Sequence, residues 1–240
     1  MQQSKLLFAG LFSLLLSWAP AMAGQRVDVK LVLAVDVSGS IDSEEYQMQH
    51  EGYAGAFESK SVLEAIESGQ NQQIAVTFVE WSGFGHQKQM VGWTLIKDEA
   101  SAKSFADAIK RVPRSFSDWT SISDAIDFSV ALMGDDQFEG ERLVIDVSGD
   151  GVNNNGRPVT QARDEAVARN IQINGLPILN EDPTLDAYYQ DNVIGGPGAF
   201  KIAVKDFSTF GEAIMSKLVQ EIASNPPAPR PFQTAMVQLP

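Results

Sequence analysis

Cysteine is absent from the 240 residues, which excludes disulfide cross-links, thiolate metal sites and thiol nucleophiles. A chain of this length must then hold itself together through its apolar core. Histidine is nearly absent, with only His50 and His86, too few for a histidine-rich metal site and for most imidazole-dependent catalysis. Positive charge is scarce: 18 Lys and Arg face 31 Asp and Glu, a formal net charge of -13. With no basic cluster, neither nucleic acid nor an anionic lipid surface is an expected partner. Glycine-rich phosphate loops of the Gly-x-Gly-x-x-Gly and Gly-x-x-x-x-Gly-Lys-Ser/Thr types follow no strand, and Gly-x-Ser-x-Gly is missing.

Long apolar runs are also lacking. The one stretch that stands out is Leu6 to Trp18, preceded by Lys5 and followed by the small-residue pattern Ala21-Met22-Ala23 before Gly24. At about 13 residues it is shorter than the ~20 that span a bilayer. It reads as a secretory signal over residues 1–23, cleaved before Gly24. The expected destination is periplasmic or extracellular, with no transmembrane segment. At the other end, residues 225–240 begin with Asn225-Pro226-Pro227-Ala228-Pro229-Arg230-Pro231, a composition expected to stay disordered. One domain is expected between them, over residues 24–224.

Within that domain, strand and helix patterns alternate. Strands are expected at Val29–Val35, Gln73–Val79, Gln89–Leu95, Arg142–Val147, Ile171–Leu179 and Phe200–Val204. Helices are expected at Ser43–Phe57, Lys97–Arg111, Ser121–Met133, Val159–Asn170 and Phe207–Ala223. The alternation implies an α/β fold: a Rossmann-like, doubly wound, mainly parallel six-stranded sheet with helices on both faces. The spacer Glu80–Lys88 is too short for a crossover helix, so strands two and three should form an antiparallel hairpin at one edge.

The most informative residues are Asp36-Val37-Ser38-Gly39-Ser40. They leave the carboxyl end of the first strand, the edge at which open α/β sheets bind ligands. Asp42 and Glu45 look like the capping box of the next helix. One carboxylate and two hydroxyls, with no His or Cys among them, suit Mg²⁺ or Mn²⁺, and Gly39 permits a tight turn. Strand four ends in Ser148-Gly149-Asp150-Gly151, so Asp150 reaches the same edge. Asp146 lies four residues earlier, about 13 Å away at ~3.3 Å per residue; it is expected to be buried against a neighbour. Thr120, in Ser117-Asp118-Trp119-Thr120-Ser121, adds a hydroxyl before a helix, although taken alone it reads first as a helix cap.

Asp36-x-Ser38-x-Ser40, then Thr120, then Asp150 together resemble the metal-ion-dependent adhesion site (MIDAS) of von Willebrand factor type A (vWA) domains, over Val27 to Ala223. The segments Thr77–Gly83, Ile145–Gly151 and Ile194–Phe200 also resemble an uncharacterised exported bacterial family of vWA-like proteins. Ser148-Gly149-Asp150-Gly151 departs from the Thr-Asp-Gly common in the wider group. The resemblance implies that Asp36, Ser38, Ser40 and Thr120 ligate Mg²⁺ or Mn²⁺, with Asp150 binding directly or through water. It further implies that an Asp or Glu of a protein partner completes the coordination, that nothing is catalysed, and that the last helix shifts on engagement as in some relatives.

The enzymatic rival is a Mg-dependent phosphatase of the haloacid dehalogenase type, with Asp36 as nucleophile and Gly149-Asp150-Gly151-Val152-Asn153-Asn154 holding the metal. Such an enzyme needs an acid two residues after its nucleophile to protonate the leaving group; Ser38 stands there. Glu80, Trp81, Trp93, Tyr188 and Tyr189 read as packing residues, and His86 as a solvated loop residue.

Overall fold

The computed structural model describes residues 24–180 and 182–223. The expected signal and tail, together with residue 224 of the expected domain, lie outside the described residues. Five strands form one sheet in the order β3-β2-β1-β4-β5. They are β1 Gln25–Asp36, β2 Ile74–Trp81, β3 Gln87–Ile96, β4 Phe138–Gly149 and β5 Ile171–Pro177. All neighbours pair in parallel except β2 and β3, the expected antiparallel edge hairpin.

Side chains alternate across the central strand, and both faces are covered. Val29, Leu31, Leu33 and Val35 pack with Tyr53, Phe57, Phe105, Phe210, Ile214 and Leu218. These come from α1 (Ser43–Glu58), α3 (Glu99–Arg111) and α7 (Phe210–Ala223). Val32 and Ala34 face the other way, toward Ile122, Ile126, Ala162 and Tyr189. That side is built by α4 (Ile122–Leu132) and α5 (Val159–Ala168). Two short elements escaped the sequence pattern: α2 (Lys60–Glu67), and α6 (Leu185–Tyr188) running into a π-helical turn, Tyr189–Val193.

The expected sixth strand is not formed. Lys201 and Val204 make only isolated bridges, to Gly175 and Ile178. The chemistry of the partner edge accounts for this. Pro177 has no N–H to give a ladder, and the N–H of Phe200 is taken by the Asn174 side chain at 3.1 Å. The segment lies alongside β5 without joining it as a strand. No helix among the described residues is long and apolar enough to cross a membrane.

Candidate metal centre

The carboxyl ends of β1 and β4 are neighbours in the sheet, with Val35 opposite Ser148. Chain topology therefore brings Asp36 and Asp150 together across 113 intervening residues of sequence. Asp36 is wholly buried. Its Oδ1 accepts the Ser38 N–H at 2.8 Å, the bond that folds the loop back over the strand end. Ser38 Oγ and Ser40 Oγ lie 3.3 Å apart, and Ser40 Oγ donates to Asp150 Oδ1 at 2.7 Å. The loop then enters α1 through the expected capping box, Asp42 accepting from the backbone of Glu45 while Glu45 accepts from that of Asp42. Gly39 does not adopt the left-handed backbone; its N–H donates to the Asp118 carbonyl at 2.8 Å, tying this loop to the next.

Thr120 is buried at the same edge. It does not cap α4, because the cap is Ser121, which accepts from the Asp124 N–H. The backbone of Thr120 is instead clamped to the loop after β4. Its N–H donates to Asn154 Oδ1 at 3.0 Å, and its carbonyl accepts from the N–H groups of Asn154 and Asn155. With its backbone so engaged, the hydroxyl faces Gly151, where an added Cβ would lie 3.4 Å from Oγ1. Gly39, Ser40, Asp118, Trp119, Thr120, Asp150, Gly151, Val152, Asn154 and Asp182 line one open cleft of about 510 Å³.

The donor set fits a hard divalent cation. Asp36 Oδ2 is buried without a hydrogen-bond partner, a state that ordinarily costs about 1–3 kcal/mol or more for a charged group. Gly149 keeps the space beside it open, since a Cβ there would come within 2.8 Å of Asp36 Oδ2 and 3.0 Å of Tyr189 Oη. Burial, then the charge of Asp150, pushes the Asp36 carboxyl up to about 8, although hydrogen bonds from Ser38 and the Asp150 backbone pull the other way. A cation between the two carboxylates would remove both penalties. Among the described residues no group of three or more His, Cys, Asp or Glu could hold a metal, so any ligand set here must include the hydroxyls.

Sequence reasoning passed over Arg114, whose Nη2 donates to the Val37 and Ser38 carbonyls at 2.9 and 2.8 Å. Nothing local signals this, because Arg114 lies in a loop far along the chain. Asp146 behaves as expected: it is buried away from the cleft and paired with Lys217 at 2.5 Å. Glu80 is buried among Tyr46, His50 and Ser115; burial opposes its ionisation, but the hydrogen bonds from these groups outweigh it and hold the carboxyl below its usual range. Trp81 and Tyr189 are in the core. His86 is more tied than a solvated loop residue, lying 3.1 Å from an Asp118 carboxylate oxygen and stacked on Phe116.

A family model described as "Protein of unknown function (DUF1194)" matches residues 26–226. No curated protein matches the chain. Among solved structures, proximal thread matrix protein 1 from the mussel byssus is similar with a TM-score of 0.62 at 13% identity, over 85% of this chain and 49% of that one. A second structure of that protein, with a zinc-occupied MIDAS motif, has a TM-score of 0.59 at 14% identity, over 84% of this chain and 49% of that one. A von Willebrand factor type A protein from Catenulispora acidiphila gives 0.56 at 13%, over 83% of this chain and 43% of that one. Manganese-loaded TRAP protein from Plasmodium vivax gives 0.53 at 15%, over 84% of this chain and 75% of that one. The chain spans about half the length of the matrix protein. At these identities the likeness establishes a vWA-like fold.

Proposed function

The chain belongs to the DUF1194 family, and from that premise we propose that it is an exported, non-catalytic binding module that holds Mg²⁺ or Mn²⁺ in a MIDAS-like site and binds an acidic group of a protein partner through it. The observation that carries this reading is the orphaned Asp36 Oδ2, buried in a cluster with Ser38, Ser40 and Asp150, of which Ser40 and Asp150 line the open cleft. Asp36, Ser38, Ser40 and Thr120 would hold the cation, with Asp150 bound directly or through water. Two carboxylates balance the charge of a divalent ion, and neutral hydroxyls leave it electrophilic. The cation would supply a position for one outside carboxylate. Metal use in two proteins of like fold supports the reading: the mussel matrix protein carries zinc and the Plasmodium protein manganese.

The phosphatase reading fares worse. A nucleophile must be reached by its substrate, and Asp36 is wholly buried. Ser38 offers no leaving-group proton near neutral pH. The test pairs two measurements. Acetate should tighten Mn²⁺ binding if it takes the partner carboxylate's place on the bound metal, and Mn²⁺ should tighten acetate binding by the same factor, because such coupling is reciprocal. Turnover of p-nitrophenyl phosphate with Mg²⁺ should stay at background. Acetate-independent affinity together with metal-dependent turnover would overturn the proposal.

A further inference from the structure

Three large apolar side chains are exposed among the described residues: Phe84 at 70%, Trp119 at 64% and Val152 at 37%. All three belong to loops at the carboxyl edge of the sheet. Phe84 is in the β2–β3 turn, Trp119 precedes Thr120, and Val152 follows Asp150. Trp119 and Val152 line the same cleft as Ser40, Thr120 and Asp150. Single exposed apolar residues need no explanation, but their confinement to one rim does.

The rim is also held in place. Phe84 N–H donates to Asn155 Oδ1 at 2.6 Å, and Gly85 N–H to Asp124 Oδ2 at 3.1 Å. A Cβ on Gly83 would lie 3.4 Å from Trp119 Cβ, so the turn bearing Phe84 abuts the loop bearing Trp119. The Asn154 and Asn155 bonds to Thr120 brace that second loop against the third. Loops whose backbone is fixed before contact lose little freedom on binding, and the large, stiff side chain of Trp makes it an effective anchor. The charges complete the description: Asp118, Asp150 and Asp182 line the cleft, and among the described residues no Lys or Arg does.

We infer that this rim selects the partner, taking a protein segment in which the metal-binding Asp or Glu stands beside a bulky apolar residue and a Lys or Arg. The apolar side chain packs on Trp119 and Val152, and the basic one faces Asp118 and Asp182. This rests on the proposed metal-dependent reading and adds to it the chemistry of the flanking residues.

The test is selection of a displayed random heptapeptide library on the full chain, with Mn²⁺ saturating each variant or with EDTA. The wild type is expected to enrich peptides combining an acid, a large apolar residue and a base, only with Mn²⁺. A synthetic peptide of the enriched sequence should bind Trp119→Ser about tenfold more weakly, and Trp119→Ser should select acids without the apolar preference. Phe84→Ser and Val152→Ser provide independent variants of the same rim. Metal-dependent selection left unchanged by all three would overturn the rim while sparing the metal reading. Absence of any Mn²⁺-dependent enrichment by the wild type would overturn both. A dimer in sedimentation that Trp119→Ser dissociates would assign the rim to a second copy of the chain and overturn the proposal.

Discussion

Burial and the nearby Asp150 push the Asp36 carboxyl up to about 8, whereas an unfolded chain leaves an aspartate near 3.9. Between those values the metal-free native state binds more protons than the unfolded state, so its stability falls as pH rises through that window. The melting temperature of EDTA-treated protein should therefore decline from about pH 4 to about pH 8. Asp36→Asn, which has no proton to lose, should decline less and should exceed the wild type above pH 7. Equal slopes in the two proteins would show that Asp36 is not the source. The identities of the clustered residues could be read from the chain because Asp36, Ser38 and Ser40 lie in one short loop and Asp150 ends a strand. Arg114 and the Asn154–Thr120 clamp could not, since each is defined by a hydrogen bond to a distant segment.

At the level of elements, α7 is fastened to the sheet by buried charge. Lys217 pairs with Asp146 on β4 and with Glu221 one turn on, and all three are fully buried. Asn174 on β5 donates to Glu221 Oε1 at 2.9 Å, and Arg142 reaches the Ile222 carbonyl at 3.0 Å. Burial and Glu221 raise the Asp146 carboxyl to about 7 against the pull of Lys217. Removing one member of such a group leaves the others buried and unpaired, so Lys217→Met should cost about 3–5 kcal/mol in urea unfolding; a loss under 1 kcal/mol would mean that the pairing matters little. The same fastening opposes the helix shift that the family resemblance implied. Periodicity revealed the long helices and all five strands of the sheet because apolar residues recur on the faces that the helices cover. It failed at Phe200–Val204, where Pro177 and Asn174 spoil the ladder, and at Leu185–Val193, too short and too irregular for a 3.6-residue pattern.

For the molecule as a whole, export and metal binding are linked proposals: outside the reducing interior, a chain without cysteine relies on its core, and an acidic surface favours solubility. Intact mass of the protein recovered from an expressing cell's periplasm or medium should correspond to a start at Gly24; recovery of the full chain in the cytoplasm alone would contradict export. The central claim is that Asp36, Ser38, Ser40, Thr120 and Asp150 form one cation site. Calorimetric titration of Mn²⁺ into residues 24–240, beside Asp36→Ala, tests it most directly. The account predicts one site per chain in the wild type and none in a folded Asp36→Ala protein, whereas equal binding in both, or none in the wild type, would contradict it.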